Sequence, residues 1–331
     1  MTRDNAGLRH WDVEVNWLIN DWCNFDCRYC YPNAKRNQFA GPVDAAHVAE
    51  SFDRTDLKWL IYISGGEPFL APDFVDLCKR LITNHTLSLN TNLSPASVHD
   101  FAEAIDPVKI RCVHCSLHIE ERERLGLVKD FLGKFRKLEE KGFYAFASYV
   151  LYPALLGRFE ADYEFFKKEG IILRPKLFRG TVGPFGNVLN RRFLRRVNRR
   201  LGKTYPGGYT KTEKQRILAW MDQAAADGGF QTDHTEDEVF GRLSDVLLDR
   251  QFIDELPSFK GRLCDAGQCF AIMESDGTLR RCHDDRRCLG NLFNGDLRLD
   301  DSIKPCRAEV CHCPYIGYAH AAAPQTARYQ Q

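Results

Sequence analysis

The sequence predicts an α/β fold in which a parallel sheet carries the functional site. Residues 12–177 alternate six strand-like segments with five helix-like segments, and strands separated by helices pair in parallel. The segments after the first two strands carry three cysteines and a Gly-Gly-Glu-Pro turn. Ligands of parallel sheets gather at the carboxyl ends of the strands. Six units are too few for an eight-stranded barrel, so they fit a partial barrel or an open doubly wound sheet.

Each element has its own signal. Strands are predicted from short apolar or alternating runs, and KWLIYIS at 58–64 is the pattern of a buried strand. The pair Ser94-Pro95 fits an N-cap followed by the first helical position, and Gly142 ends a long charged helix. In chain order, the predicted elements are strand 12–20, helix 44–53, strand 58–64, helix 72–83, strand 86–91, a helix from Ser94-Pro95, strand 109–116, helix 121–141, strand 144–151, helix 158–169 and strand 171–177.

After residue 177 the chain changes character. Arg191–Leu201 carries six arginines with apolar residues at helical spacing, which fits either a phosphate-binding helix or a solvated face of a helix packed on the sheet. A further helix is predicted at 211–226, and residues 270–282 have the pattern of a β-hairpin. We expect three domains: the α/β core at 1–180, a helical connector at 181–257 and a small cysteine-rich hairpin and helix domain at 258–331.

Composition excludes several classes of protein. The 331 residues include 46 basic and 45 acidic side chains, for a formal net charge of +1. That balance argues against nucleic acid or an anionic membrane as the main partner. The N-terminus lacks the apolar core of a signal peptide, and no run reaches the roughly 18 apolar residues of a membrane span. We therefore expect a cytoplasmic protein.

The 13 cysteines are too few for a disulfide scaffold and are clustered in a way typical of metal or redox sites. Two clusters stand out, which predicts two metal centres. A triplet precedes residue 31, seven more cysteines lie after residue 260, and the remaining Cys78, Cys112 and Cys115 are scattered. The first cluster consists of Cys23, Cys27 and Cys30, and the second of Cys264, Cys269, Cys282, Cys288, Cys306, Cys311 and Cys313.

The triplet has the spacing C-x3-C-x2-C. Three thiolates can hold three corners of a four-iron cluster and leave one iron open to another ligand. A zinc site is an alternative, as are three buried thiols in a loop. From the spacing alone these interpretations stay open.

The triplet, with Tyr29 inside it, resembles the signature of the radical S-adenosylmethionine (SAM) superfamily. Gly65-Gly66-Glu67-Pro68 resembles the second motif of that family and follows the second predicted strand. The resemblance implies a partial (β/α)6 barrel and a 4Fe–4S cluster coordinated by three cysteines and SAM. It also implies that the Gly-Gly-Glu segment contacts the SAM amino group. Glycine permits close backbone approach, and Glu67 is expected to accept a hydrogen bond from the ammonium.

Two strand ends extend the resemblance. Thr91-Asn92 ends the third strand as a similar pair does in relatives, and Ser116 ends the fourth, where relatives place a SAM-contacting serine. Because side chains alternate along a strand, Cys112 is expected to share the inner face with Ser116, whereas Cys115 faces the helices. Cys78 and Cys115 are expected to serve core packing. The predicted cofactor-binding residues are thus Tyr29, Gly65, Gly66, Glu67, Asn92 and Ser116.

The tail resembles the SPASM and twitch extensions of the same superfamily. The pattern C-x12-G-x4-C runs from Cys264 to Cys282, and in relatives these two cysteines and a later pair hold an auxiliary 4Fe–4S cluster. The later ligands are expected among Cys306, Cys311 and Cys313. The C-x4-C-x-C ending departs from a full SPASM domain and favours one auxiliary cluster. A zinc ribbon, within a protein that is not an enzyme, is the alternative.

The resemblance implies reductive cleavage of SAM to a 5′-deoxyadenosyl radical that abstracts a hydrogen atom from a substrate. The outcome is expected to be dehydrogenation or, if Cys112, Cys269 or Cys288 returns a hydrogen atom, epimerisation. Only 22 residues precede Cys23, which favours a small sugar, cyclitol or nucleotide derivative over a ribosomal peptide. Flavodoxin or ferredoxin is the expected electron donor.

Overall fold

The computed structural model describes residues 11–30, 44–178, 208–229, 249, 253 and 259–308. The predicted arginine helix at Arg191–Leu201 lies outside these residues, as do Cys311 and Cys313. In the described ranges, no helix has the length and hydropathy needed to cross a membrane.

The chain divides into two compact units. The first comprises Met1–Tyr149, Gly267–Arg281 and Arg287–Asp300, and the second comprises Val150–Ala266, Cys282–Arg286 and Asp301–Gln331. The division into domains at 1–180, 181–257 and 258–331 stays a prediction.

Helices connect five parallel strands from residue 13 onward, with one α-helix in each of the first three connections and two in the fourth, which confirms the predicted α/β fold. Neighbouring strands pair in parallel in the order of the chain, and the sheet is open. The strands are β1 Val13–Asn20, β2 Trp59–Gly65, β3 Thr86–Thr91, β4 Ile110–Ser116 and β5 Ala145–Leu151. The helices are α1 Ala45–Asp53, α2 Phe74–Leu81, α3 Ser97–Ala104, α4 Ile119–Leu125 and α5 Val128–Glu140.

The predicted single helix at 121–141 is wrong: the structure has two helices, α4 and α5. Gly126 ends α4 with a φ of 69°, and its backbone N–H bonds back to the carbonyl of Arg122. Glycine is the residue that most readily adopts this left-handed conformation after a helix. The break matters for function because α4 alone lies beside the first cysteine cluster.

One face of the sheet forms the apolar core of the first unit. Trp17 and Trp59 are fully buried, and Phe52 of α1 packs against both, with ring centroids 6.3 Å and 5.5 Å away. Cys115 lies on this face and is fully buried, as is Cys78 of α2. Alternation along the strands therefore leaves the opposite face free for polar side chains.

The second unit contains α6 Phe159–Lys168, β6 Leu173–Leu177 and α7 Lys211–Ala226. The hydroxyl of Tyr209 donates to the carbonyl of Leu151 at 2.5 Å and accepts from the N–H of Phe178 at 3.0 Å. Thr210 and Glu213 form a capping box at the start of α7. Strand β7 Leu263–Cys264 pairs with the last described strand, β12 Lys304–Pro305.

The cysteine-rich tail also contributes strands to the first unit. Its hairpin consists of β8 Phe270–Met273 and β9 Thr278–Arg280, followed by β10 Cys288–Asn291 and β11 Asp296–Leu297. Strand β8 pairs in parallel with β1, so the tail extends the sheet beyond its first strand. The hairpin was predicted from its turn, but this long-range pairing was not. Residues 259–308 contain strands and no helix.

Candidate functional site

Cys23, Cys27 and Cys30 lie on the loop that follows β1, and all three are partly exposed. The N–H of Cys30 bonds to the carbonyl of Cys27 at 2.9 Å, and the N–H of Phe25 donates to the sulfur of Cys23 at 3.4 Å. Burial raises the pKa of Cys23 to about 11 and that of Cys27 further, and the charge of Cys30 adds to both shifts. The thiolate form of Cys23 and Cys27 is therefore favoured only when a metal compensates the charge.

The Gly-Gly-Glu turn after β2 packs directly on the entry to the cysteine loop. Gly66 N–H donates to Asn20 O at 2.8 Å, and Glu67 N–H donates to Trp22 O at 2.7 Å. A Cβ atom on Gly65 would collide with the backbone of Asn20, and one on Gly66 with that of Trp22. The glycines were expected to permit approach to a ligand. In the structure they permit approach to the protein's own backbone.

Glu67 is fully buried and joins the ends of β2 and β3. Its carboxylate accepts from Thr91 Oγ1 at 2.7 Å, Phe69 N at 3.1 Å and Asn92 N at 2.5 Å. Burial raises its pKa to about 7, against the opposing effect of these hydrogen bonds. Both carboxylate oxygens are therefore occupied by protein donors, whereas the sequence led us to expect a SAM ammonium there.

A different acceptor lies beside this turn. Asn20 at the end of β1 is buried, and its Nδ2 donates to the carbonyl of Glu67 at 3.1 Å. Its Oδ1 is buried without a hydrogen-bond partner. A buried acceptor that lacks a donor is costly, so this atom fits a ligand that carries N–H groups, such as an ammonium.

Asn92 connects β3 to the cysteine loop. Its Nδ2 lies 2.9 Å from Asn24 Oδ1 and 3.7 Å from the sulfur of Cys23, and its Oδ1 accepts from Ser94 N at 2.9 Å. Hydrogen bonds to cysteine sulfurs tune iron–sulfur clusters. Asn92 therefore contacts the cysteine loop through Cys23 and Asn24, and its role in binding a cofactor stays a prediction.

Helix α4 holds the other side of the cysteine loop. Glu121 Oε2 accepts from Asp26 N at 2.7 Å, and Arg28 pairs with Glu120 at 2.7 Å. The hydroxyl of Tyr29 lies 3.1 Å from Nδ1 of His118, the residue before α4. Tyr29, which the sequence predicted to bind the cofactor, is buried, and its hydroxyl holds the loop against the residue before α4.

The face of the first unit's sheet that lies opposite the apolar core carries polar side chains. The Oγ of Ser116 donates to Asn90 Oδ1 at 3.0 Å, and Cys112 Sγ lies 3.4 Å from Ser88 Oγ. His114 lies between them in sequence; its Nε2 is 2.5 Å from Ser148 Oγ. The pairing register also places Asn16, Tyr62, Ser64 and Phe146 on this face. Cys112 and Ser116 therefore share one face of β4, as their spacing predicted.

The tail cysteines divide between the two units. Cys264, Cys282 and Cys306 belong to the second unit and are buried. Cys264 pairs with Lys304 across the β7–β12 ladder, next to Cys306, and Cys282 Sγ accepts from Asp285 N at 3.2 Å. Cys269 and Cys288 belong to the first unit, where Cys288 is exposed.

The side chains of the cysteine loop supply only thiol donors. Among the described residues, no three His, Cys, Asp or Glu side chains are grouped to hold one metal ion. Ligands of a four-iron cluster bind different irons, so their sulfurs are farther apart than the ligands of one ion. The all-thiolate donor set of Cys23, Cys27 and Cys30 is the one such clusters use.

Sequence reasoning missed three residues of the site: Asn20, Glu121 and Arg122. Asn20 is the last residue of β1, a position at the ligand-binding edge that could have marked it. Glu121 and Arg122 were placed at the start of a long charged helix, where charged side chains usually face solvent. Their role depends on the helix break at Gly126 and on packing that periodicity does not show.

A comparison with known protein families points to the same superfamily that the cysteine loop resembles. Residues 17–167 match the model described as the radical SAM superfamily. A pre-heme d1 synthase of Dinoroseobacter shibae is 35% identical over 82 residues, which cover 24% of this chain and 20% of that protein. An S-adenosylmethionine-dependent nucleotide dehydratase of Selenomonas ruminantium is 29% identical over 91 residues, which cover 25% of this chain and 33% of that protein.

A GTP 3′,8-cyclase of Pasteurella multocida is 27% identical over 141 residues, which cover 37% of this chain and 42% of that protein. The chain thus spans from a fifth to about two fifths of the length of these curated relatives. The likeness is confined to part of each protein.

Solved structures are similar over a longer range. Native anSMEcpe with bound AdoMet superposes with a TM-score of 0.56 at 16% identity, covering 85% of this chain and 78% of that one. SuiB of Streptococcus suis bound to S-adenosylmethionine gives a TM-score of 0.55 at 14% identity, covering 88% and 66%. At these identities the likeness shows the fold. Residues 17–167, which match the radical SAM superfamily model, make up somewhat less than half of this chain.

Proposed function

We propose that the chain is a radical SAM enzyme that dehydrogenates or epimerises a small molecule, such as a sugar, cyclitol or nucleotide derivative. The observation that carries the proposal is the contact between two motifs. The loop of Cys23, Cys27 and Cys30 lies directly against the Gly-Gly-Glu turn, through the hydrogen bonds of Gly66 and Glu67. This contact brings the three cysteine sulfurs and the unpaired Oδ1 of Asn20 to the same edge of the sheet.

In this proposal Cys23, Cys27 and Cys30 hold a 4Fe–4S cluster whose open iron binds SAM. Once reduced by one electron from an external donor, the cluster and SAM would supply the chemistry for hydrogen-atom abstraction. Asn20 Oδ1 accepts a hydrogen bond from the SAM ammonium. Burial of Glu67 and Asn92 fixes the Gly-Gly-Glu turn and the end of β3, and it excludes water from this edge of the sheet.

The polar face of the sheet supports a small substrate with hydroxyl or amide groups. Ser88, Asn90, His114 and Ser148 offer donors and acceptors there, and each is held by a neighbour on the same face. The ring of Phe146 stacks on His114 at 4.7 Å and adds an apolar surface. Such a face of few, fixed polar groups is typical of small-molecule sites.

A ribosomal peptide is the second candidate substrate. One solved neighbour is SuiB bound to its precursor peptide SuiA, and another is anSMEcpe with a bound Cp18Cys peptide. Two curated relatives are named for small nucleotides, a nucleotide dehydratase and a GTP cyclase. We favour the small molecule because Ser88, Asn90, Ser116 and Ser148 place short, neutral polar groups on this face.

The proposal includes an auxiliary 4Fe–4S cluster in the tail. Cys264, Cys282 and Cys306 are its ligands, with the fourth from Cys311 or Cys313. Support comes from the shared unit and burial of the first three cysteines. Cys269 and Cys288 are left as spectators of this cluster or as hydrogen donors.

Anaerobic metal analysis of the reconstituted protein tests the cluster content. We expect about eight irons per chain for two clusters, whereas about twelve indicates a full SPASM domain. Zinc with little iron would favour a non-enzymatic zinc module and end the proposal.

SAM cleavage tests the activity. With dithionite, or with a flavodoxin or ferredoxin as electron donor, the loaded protein is expected to form 5′-deoxyadenosine from SAM. Cys27→Ala is expected to abolish this product. Cys78→Ala, a buried cysteine of α2 outside the site, is the matched control and is expected to retain it.

Turnover in D₂O separates epimerisation from dehydrogenation. If a thiol returns the hydrogen atom, its S–H bond breaks, a substrate C–H bond forms, and the sulfur radical takes one electron and one proton through the external donor. Deuterium in the product then indicates epimerisation. Cys112 is the first of the three candidates to test, because its sulfur lies on the polar face; Cys112→Ser is expected to stop the incorporation.

A further inference from the structure

Arg122 is a buried cation that no function assigned above uses. The residue is fully buried in α4, and none of the ion pairs among the described residues includes it. Its Nε donates to Leu117 O at 2.6 Å, and its Nη2 donates to Asn92 O. Its Nη1 is buried without a hydrogen-bond partner. A buried charge that lacks an ion-pair partner and leaves one donor unsatisfied is expensive, so its retention calls for an explanation.

The guanidinium lies directly beside the cysteine loop. Its Cζ is 5.3 Å from the ring centroid of Phe25, which lies between Cys23 and Cys27, and 4.2 Å from that of Phe131. Asn92, whose carbonyl accepts from Arg122, also directs its Nδ2 toward the sulfur of Cys23 at 3.7 Å. One residue therefore separates the charge from a candidate iron ligand.

The side chain stays charged at neutral pH. Burial lowers the pKa of Arg122 to about 10, and the charges of Cys115, Asp130, Glu67 and Cys27 act in the opposite direction. A pKa of about 10 leaves the guanidinium protonated at pH 7. The loop thus faces a permanent positive charge in a place that water does not reach.

We propose that Arg122 is a positioning residue that fixes a buried positive charge beside the cysteine loop and thereby raises the reduction potential of the cluster held there. The inference rests on the proposed function, since it requires that cluster. Reduction adds one negative charge to a cluster, and a fixed cation in a low-dielectric setting stabilises the reduced form. Charge, hydrogen bonds to the sulfurs and burial are the terms that set such potentials.

The test is an anaerobic redox titration of the loaded full-length protein without SAM, followed by electron paramagnetic resonance. Arg122→Gln removes the charge and keeps a donor, and Arg122→Lys keeps the charge. Arg124→Gln is the control because it removes a charge from the exposed side of the same helix, where solvent and salt screen it. Iron content and thermal unfolding are measured for each variant.

We expect Arg122→Gln to shift the potential of the cluster to more negative values. Arg122→Lys and Arg124→Gln are expected to stay close to the wild type. If Arg122 has only a structural role, both Arg122 variants should unfold at a lower temperature. The potentials of their clusters should then not differ with the charge of the new side chain. If Arg122→Gln loses iron, Arg122→Met supplies the same comparison, since its stem fills the space between Phe25 and Phe131.

Two results would overturn the inference: an unchanged potential in the neutral variant, or equal shifts in the neutral and lysine variants. Failure of the wild-type chain to hold a 4Fe–4S cluster would instead overturn the proposed function. The two failures are distinguishable because the second is seen before any variant is made.

Discussion

The side-chain amide of Asn92 points at the sulfur of Cys23, with Nδ2 and Sγ 3.7 Å apart. The backbone of the same residue is held on both sides by buried ionisable side chains. Its N–H donates to the carboxylate of Glu67, and its carbonyl accepts from the guanidinium of Arg122. The end of β3 therefore links the buried carboxyl of Glu67 and the buried guanidinium of Arg122 to the first cysteine of the loop.

Replacement of Asn92 by Asp is expected to weaken cluster binding. The change exchanges the Nδ2 donor for an oxygen, which removes the hydrogen bonds to Cys23 and Asn24 and puts a negative charge beside a thiolate. We expect less iron per chain after reconstitution, with unchanged far-ultraviolet circular dichroism. The exposed Asn294→Asp is the control and should bind iron as the wild type does. Full iron content in Asn92→Asp would show that this contact contributes nothing.

The parts of this site differ in how far the sequence could predict them. The cysteine triplet and the Gly-Gly-Glu turn depend on local spacing, so their strand ends and their proximity were predicted. Arg122 was not, because a charged residue in a helix usually faces solvent. Its burial depends on Phe25, which comes from the distant cysteine loop, and on Phe131, which lies across the helix break in α5.

In the fold, too, local features could be predicted from the sequence, whereas pairing between distant segments could not. The turn between β8 and β9 is local, so the tail hairpin was predicted within two residues of its observed end. Its pairing with β1 joins segments separated by about 250 positions, as in Glu14 with Phe270. Periodicity within one segment gives no signal for a partner that far away.

Gly66→Ala is expected to destabilise the protein by about 3 kcal/mol or more, since its Cβ would overlap the backbone of Trp22. Backbone atoms cannot move aside as a flexible side chain can. Gly133→Ala is the matched control, because this glycine is exposed within α5 and nothing lies within 4 Å of its added Cβ. That change should stabilise the protein by about 1 kcal/mol. Urea unfolding of both variants measures the difference, and equal effects would refute it.

Glu121→Ala is expected to loosen the cysteine loop. The Glu121 carboxylate is mostly buried and accepts from the N–H of Asp26 at 2.7 Å, an interaction with a charged group worth about 1.5–3 kcal/mol. Hydrogen exchange of a peptide that spans residues 21–30 should become faster. Glu120→Ala, which removes only the partly exposed pair with Arg28, should change exchange little, since such pairs contribute about 0–1 kcal/mol. Faster exchange in both variants alike would contradict the distinction.

His85 is expected to make the fold sensitive to acid. The residue is buried next to Phe52; its Nδ1 accepts from Trp59 N at 3.4 Å, and its Nε2 lies 3.2 Å from Asp53 Oδ1. Burial lowers its pKa to about 4 from an ordinary value of 6.5, against the opposing effect of Asp53. Below pH 6.5 the unfolded chain takes up a proton that the folded chain does not.

Stability should therefore fall as the pH drops from 6.5 to about 4, by a contribution on the order of 3 kcal/mol from this residue. Urea unfolding at a series of pH values measures the loss. In His85→Gln the loss over this range should be smaller, because glutamine does not titrate. The exposed His99→Gln should retain the wild-type dependence on pH. A His85→Gln curve parallel to that of the wild type would mean that other groups cause the acid sensitivity.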